Sequence, residues 1–147
     1  MLDYIRIACA VPAVKVGDVK KNAADICAYM AKADGQGADV VLFPELALTG
    51  YSCGDLFFQD ALWEAAKTGL GEIVDCSKAH PAVMAVVGMP VRLNGRLLNC
   101  AVAVRNGGVC GIVCRFIHRV AALSRCLLWL RLFAVGAVVC HRECCEV

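Results

Sequence analysis

The feature that most constrains this chain is an apolar run that ends at a proline and is followed at once by a single carboxylate. Residues 40–43 are continuously apolar, a pattern typical of a sheet strand that is buried on both faces. Pro44 has no N–H to donate to a ladder, so the chain must leave the sheet at Glu45. Ligands of open α/β sheets bind just outside the carboxyl ends of strands. Glu45 is therefore a candidate general base, and a helix cap or a structural ion pair is the alternative that this spacing leaves open.

Strands and helices alternate along the first half of the chain. Residues 4–10 predict a first strand, in which Ile5, Ile7 and Cys9 alternate with Tyr4, Arg6 and Ala8. A helix is expected after Asp18, a favourable N-cap, and the glycines at 35 and 37 end it. Apolar residues at helical spacing over 62–73 predict a second helix that finishes before Pro81. A strand, a helix and a strand in this order predict a right-handed crossover unit.

The second half carries hairpin signals instead of helical ones. Residues 84–88 predict a third strand, and Asn94-Gly95 then separates two extended runs, the strongest short hairpin signal. Asn106-Gly107-Gly108 separates residues 97–105 from residues 109–113 in the same way. The predicted fold class is therefore α/β, with a mixed sheet and helices on one face.

Two motifs in this framework resemble a known family. Phe43-Pro44-Glu45-Leu46, followed by Thr49-Gly50-Tyr51, resembles the first signature of the nitrilase, or carbon-nitrogen hydrolase, superfamily. The run GYSCGDLF at residues 50–57 is similar to the glutaminase domain of bacterial glutamine-dependent NAD synthetases. The resemblance extends from about residue 4 to about residue 113. It implies the first half of an α-β-β-α nitrilase-like sandwich.

The resemblance also implies a chemistry that needs three side chains. In the family a cysteine thiolate attacks the amide carbon of glutamine, a glutamate takes the proton, and a lysine stabilises the tetrahedral oxyanion. Glu45 matches the catalytic glutamate. Tyr51 matches an aromatic residue that lines the glutamine pocket, with loop packing as the alternative for this side chain.

The other two catalytic groups of the family have no match. The family pattern implies Pro-Lys at positions 114 and 115, where this chain has Cys114-Arg115. A planar guanidinium does not replace a compact ammonium, so the lysine's role is not assigned to Arg115. Cys126 and Cys140 stand among Leu, Val and Ala, where a cysteine behaves as a small hydrophobe. No nucleophile is assigned.

The composition changes near Val113. Between Cys110 and Val147 the chain has no Lys, Asp, Asn or Gln, and arginine supplies all the positive charge. We therefore divide the chain into a partial nitrilase-like glutaminase domain at 1–113 and a tail at 114–147 without family resemblance. Our hypothesis is that the tail is translated out of frame, and a genuine but divergent tail is the alternative.

Two functional interpretations of the tail are disfavoured. Residues 120–140 are long enough to span a bilayer, but they include Arg125 and Arg131, each costing a few kcal/mol at its centre. The Cys140-His141 and Cys144-Cys145 pairs contain zinc-binding side chains, but no second spaced pair completes a known zinc motif. We predict no metal site and no membrane span.

Net charge and the N-terminal sequence bound the remaining expectations. The formal net charge of +2 does not call for nucleic acid, and the first residues lack the features of a signal peptide, so a cytoplasmic location is predicted. The resemblance implies glutamine as the substrate of the parent family and a homo-oligomer for the full-length parent. It implies no cofactor in this chain, because ATP and magnesium belong to a synthetase domain that the sequence does not contain.

The functional prediction has two levels. The lineage is a glutaminase that supplies ammonia for ATP-dependent NAD synthesis, and the isolated chain is expected to be inactive. Whether this chain is itself an enzyme stays open. The alternatives are a stand-alone amidase or nitrilase, and a non-catalytic fragment that docks through an uncovered apolar sheet face.

Overall fold

A computed structural model describes residues 4–116, and their side chains up to residue 114. The elements in chain order are β1 (Ile7–Cys9), α1 (Val19–Gly35), β2 (Val40–Leu42), a 3-10 turn (Gly54–Phe58), α2 (Asp60–Ser77), β3 (Met84–Leu93), β4 (Arg96–Arg105) and β5 (Gly108–Phe116).

The five strands form one mixed sheet whose spatial order is their chain order. β1, β2 and β3 are parallel, and β4 and β5 are added as antiparallel hairpins. Both helical crossovers step across the sheet in the same direction, so right-handed connections put α1 and α2 on the same face. The predicted α/β class, with helices on one face of a mixed sheet, is confirmed.

The main core lies between this sheet face and the two helices. Asp18 begins α1 as predicted, because its side chain accepts a hydrogen bond from the Lys21 backbone N–H at 3.2 Å. Ile26 and Met30 of α1 and Ile73 of α2 are fully buried. The strand residues packed against them are Val41, Ala85, Val87, Val102 and Val104.

Both hairpins form at the predicted turns. Asn94 and Gly95 have φ values of 50° and 74°, and Asn106 and Gly107 have 47° and 75°; two consecutive positive φ values are what a type I′ turn requires. β3 runs past its predicted end at residue 88 and through Pro90. It can do so because β2 pairs only with its first residues, so that β3 is locally an edge strand where the proline lacks its N–H.

Two details of the predicted strands are wrong. The first strand was expected over 4–10, but its ladder covers only Ile7–Cys9, with Ile5 71% and Ile7 56% exposed. β2 is buried on one face only: Val41 is inaccessible, while Val40 and Leu42 are half-buried. For β2 the reason is that the two helices pack against only one face of the sheet, the face that carries Val41.

No helix within residues 4–116 is long and apolar enough to cross a membrane. The stretch at 120–140 that was considered for a span lies outside the described residues, as do the Cys140-His141 and Cys144-Cys145 pairs.

Candidate active site

Glu45 lies in a tight turn that leaves the sheet just after β2. The Phe43 N–H donates to the Val86 carbonyl at 3.0 Å, and the Leu48 N–H donates to the Gly88 carbonyl at 3.2 Å. Between these two bonds the chain makes the turn that carries Glu45. The turn is closed by a 2.7 Å hydrogen bond from the Gly50 N–H to the Leu46 carbonyl. Leu46 has φ +53°, an uncommon conformation for a bulky residue that must be held by its surroundings.

Gly88 of β3 provides the space for this turn. A Cβ at Gly88 would lie 2.5 Å from the Leu46 nitrogen, 2.6 Å from the Pro44 oxygen and 3.0 Å from the Glu45 Cα. Because all three are backbone atoms, no side-chain rotation can relieve the clash. Gly88 therefore fixes how closely the Glu45 turn approaches the sheet.

The Glu45 carboxylate is half-buried and bonded to β4. The Asn99 side-chain Nδ2 donates a hydrogen bond to Glu45 Oε1. Asn99 is only 5% exposed, and its Oδ1 has no hydrogen-bond partner within the described part of the chain. A buried acceptor without a donor is costly, so this amide has an open acceptor next to the carboxylate.

The register of β5 brings a third position to the same place. Asn99 of β4 pairs with position 115 of β5, and directly opposite residues of an antiparallel pair share a sheet face. Position 115 is the one at which the resemblance implies a lysine. The side chain of Arg115 itself lies outside the described residues. The fold thus brings the backbone positions of the expected glutamate and the expected lysine to either side of Asn99.

Tyr51 follows the Glu45 turn and is 53% exposed. The connection around it is well anchored: the buried Cys53 thiol donates to the Thr49 carbonyl at 3.1 Å, and Asn22 of α1 donates to the Leu48 carbonyl at 3.1 Å. A Cβ on Gly50, whose φ is +90°, would lie 3.0 Å from the Val16 Cα. The Tyr51 ring is thus exposed on an anchored loop, and neither role predicted for Tyr51 is tested by these contacts.

Two cysteines close in sequence to the site residues, Cys53 and Cys100, are buried and unsuited to nucleophilic attack. Burial raises the pKa of the Cys53 thiol, and burial also raises that of Cys100, next to Asn99. Both are therefore protonated thiols at neutral pH. Cys126 and Cys140, for which the sequence predicts no catalytic role, lie outside the described residues. Between residues 4 and 116 no cluster of three or more His, Cys, Asp or Glu side chains is arranged to hold a metal ion.

Sequence reasoning missed Asn99 and Gly88. Asn99 interrupts the apolar run of β4, and an asparagine in a buried strand is unusual enough to indicate a polar partner. A glycine inside a strand, such as Gly88, indicates a close backbone approach. Neither signal identifies the partner, because the partner of both residues is a turn more than forty residues earlier in the chain.

Comparisons with known proteins agree with this geometry. Residues 6–124 match the model of the carbon-nitrogen hydrolase family. The glutamine-dependent NAD(+) synthetase of Mycobacterium tuberculosis is 36% identical over 110 residues, which are 75% of this chain and 16% of that protein. The structure of a glutamine-dependent NAD(+) synthetase from Cytophaga hutchinsonii superposes with a TM-score of 0.67 at 29% identity, covering 78% of this chain and 20% of that one.

An amidase from Nesterenkonia sp. superposes with a TM-score of 0.64 at 21% identity, covering 80% of this chain and 44% of the amidase. At that identity the likeness shows the fold alone. The chain spans about an eighth to a fifth of the length of the curated NAD(+) synthetases that it matches.

Proposed function

Because the chain belongs to the carbon-nitrogen hydrolase family, we propose that it is the first part of a domain that hydrolyses the side-chain amide of glutamine. The ammonia would serve ATP-dependent NAD synthesis in the cytoplasm. Support for the substrate comes from the curated relatives, which are glutamine-dependent NAD(+) synthetases. The observation that carries the proposal is the Glu45 carboxylate held by Asn99 beside position 115.

In this proposal Glu45 is the general base. A carboxylate at the end of β2, half-buried and oriented by the Asn99 amide, is placed to accept the proton of an attacking thiol or water. Asn99 is a positioning residue, since it reaches the reacting atoms through Glu45. Tyr51 lines the side of the pocket that receives the rest of the glutamine molecule.

We propose that the isolated chain does not hydrolyse glutamine. Arg115 replaces the lysine that the family pattern implies, and a planar guanidinium on a longer stem does not place positive charge where a compact ammonium would. Neither Cys53 nor Cys100 is an activated thiol. We therefore assign the Glu45 carboxylate neither a thiol to deprotonate nor a lysine that would stabilise an oxyanion.

A chimera tests the lineage and the role of Glu45 together. Residues 4–113 replace the matching segment of the Mycobacterium tuberculosis enzyme, and ammonia release from glutamine is measured. We expect glutamine hydrolysis, and Glu45→Gln should lower kcat by about 100-fold to 10,000-fold, the usual contribution of a general base. Glu64→Gln is the matched control, because Glu64 is an exposed helix carboxylate that forms a surface ion pair with Lys67.

Substrate choice separates the alternatives. Tyr51→Ala in the chimera should raise KM for glutamine more than it lowers kcat. Equal activity on glutamine and on short aliphatic amides would favour a stand-alone amidase. Ammonia release by the unmodified chain, abolished by Glu45→Gln, would refute the proposed inactivity. A folded chimera without any activity would favour a non-catalytic docking fragment over a glutaminase segment.

We also propose that the tail at 114–147 is translated out of frame, as its composition indicates. β-pairing continues across the junction, since Cys114 still pairs with Cys100, so backbone pairing does not mark the change. The test is the coding DNA through the codons of residues 111–116. An alternative frame that resumes with Pro-Lys supports the proposal, and the absence of one in every frame refutes it.

A further inference from the structure

Helices α1 and α2 lie side by side along a seam with two clear contacts. At one end, a Cβ added to Gly69 of α2 would lie 2.6 Å from Val19 Cγ1 and 3.6 Å from Ala23 Cβ of α1. At the other end, the His80 Nδ1 lies 2.9 Å from an Asp34 carboxylate oxygen. The two contacts occur in the same order along both segments, so the helices run parallel.

Two cysteines lie on this α1–α2 seam between these contacts. Cys27 follows Ala23 at i+4, and Cys76 follows Gly69 at i+7, and both spacings return to the same side of a helix. Periodicity therefore turns the two side chains toward each other. The Cys76 side chain is close enough to contribute to the raised pKa of Cys27, and both residues are half-buried. An oxidant in solvent can reach such a pair, unlike a thiol in the centre of the core.

We propose that Cys27 and Cys76 form a site of reversible disulfide formation that links α1 to α2. A disulfide needs Cα atoms about 4.4 to 6.8 Å apart, whereas packed helix axes are usually about 8 to 10 Å apart. The glycine at position 69 permits an approach at the close end of that range, because no side chain separates it from Val19 and Ala23. The site is independent of the proposed glutamine chemistry, since neither cysteine contacts Glu45 or Asn99 in the described structure.

The order of the steps follows from the surroundings of the two thiols. Burial, the hydrogen bond with Cys76 and the nearby Glu72 carboxylate raise the pKa of Cys27 to about 12. Cys27 therefore stays protonated. The other thiol of the pair, Cys76, attacks the disulfide of oxidised glutathione with loss of its proton, and one glutathione leaves as the thiol. The Cys27 sulfur then attacks Cys76, gives its proton to the second departing glutathione, and completes the protein disulfide. Two protein thiols are oxidised and one glutathione disulfide is reduced to two thiols.

Peptide mapping of the full chain tests the proposal. The protein is incubated with oxidised glutathione, remaining thiols are blocked with a maleimide, and trypsin is added. Cleavage at lysine isolates Cys27 in the peptide 22–32 and Cys76 in the peptide 68–78, each with a single cysteine. We expect these two peptides to be recovered as one linked species that dithiothreitol separates. Cys9, an exposed cysteine of β1, should carry glutathione instead.

Two controls keep the result decisive. Cys76→Ser should abolish the linked species without changing the modification of Cys9. In concentrated guanidinium chloride the protein is unfolded, and the same oxidation should link many different pairs of cysteines. A single specific link in the absence of denaturant would therefore depend on the folded α1–α2 seam. Oxidation should also raise Tm by about 5 to 10 °C, because the bridge closes a loop of roughly fifty residues, and Cys76→Ser should remove this rise. Glutathione on Cys27 or Cys76 without a link, or a link from either to another cysteine, would overturn the proposal.

Discussion

Replacing Gly88 with alanine tests the reason why Glu45 lies where it does. The added methyl would meet the Leu46 nitrogen at 2.5 Å and the Pro44 oxygen at 2.6 Å. Ordinary contacts of a Cβ begin at about 3.4 Å, so the Glu45 turn must move away from β3 by nearly 1 Å. The 3.2 Å hydrogen bond from the Leu48 N–H to the Gly88 carbonyl would be lengthened with it.

The expected cost is large for a single methyl group. Overpacking usually costs about 1 to 3 kcal/mol, and a strained backbone hydrogen bond adds about 1 kcal/mol. Replacing a glycine also restricts the unfolded chain, which stabilises the folded state by about 0.5 to 1 kcal/mol. The net loss in the free energy of unfolding is therefore about 2 kcal/mol. With a slope of about 1 to 3 kcal/mol per molar urea, the midpoint should fall by about 0.7 to 2 M.

The assay is urea unfolding of the full chain, followed by far-ultraviolet circular dichroism. Gly71→Ala is the matched control, because Gly71 lies inside α2 and a Cβ there would meet nothing within 4 Å. It should stabilise the protein by about 0.5 to 1 kcal/mol, the difference in helix propensity. If Gly88→Ala changes stability by no more than about 0.5 kcal/mol, the close approach of the Glu45 turn to β3 is wrong.

Three further predictions address the site, a turn and a helix start. Asn99→Ala should lower the free energy of unfolding by about 1 to 3 kcal/mol in urea, because the Glu45 carboxylate loses its buried donor; an unchanged midpoint would contradict that contact. Gly95→Ala should cost about 1 kcal/mol in the same assay, since its φ of +74° is strained for alanine although the space is open, while Gly35→Ala, in equally open space at a negative φ, should cost nothing. The Lys15 side chain and the Lys21 backbone N–H lower the pKa of Asp18 in the folded state, so its stabilising contribution is complete above its ordinary pKa and is lost as the pH falls through the folded value. Asp18→Asn should therefore flatten the fall in urea midpoint between about pH 5 and pH 2, and parallel curves for both proteins would refute the effect.

Much of the layout could be read from local patterns. Asp18 predicted the start of α1, and the two asparagine-glycine turns predicted both hairpins, because capping and type I′ geometry depend on a few adjacent residues. The run ending at Pro44 correctly predicted that the chain leaves the sheet at Glu45. The predicted bounds of β1 were wrong, and so was the predicted burial of β2, which depended on what covers each sheet face. An apolar strand such as Val40–Leu42 has the same appearance whether or not a layer lies over it.

The amino-acid sequence by itself determined the order of the elements, their turns and the carboxylate that leads the candidate site, because each is encoded within a few neighbouring residues. Only the tertiary structure decided what surrounds that carboxylate. Gly88 admits the turn, Asn99 binds Glu45, and the β5 register brings position 115 opposite Asn99. These contacts join strands that are far apart in the chain, and a one-residue shift in register would turn Asn99 to the other face of the sheet. Local sequence cannot specify a contact whose geometry depends on the alignment of several strands at once.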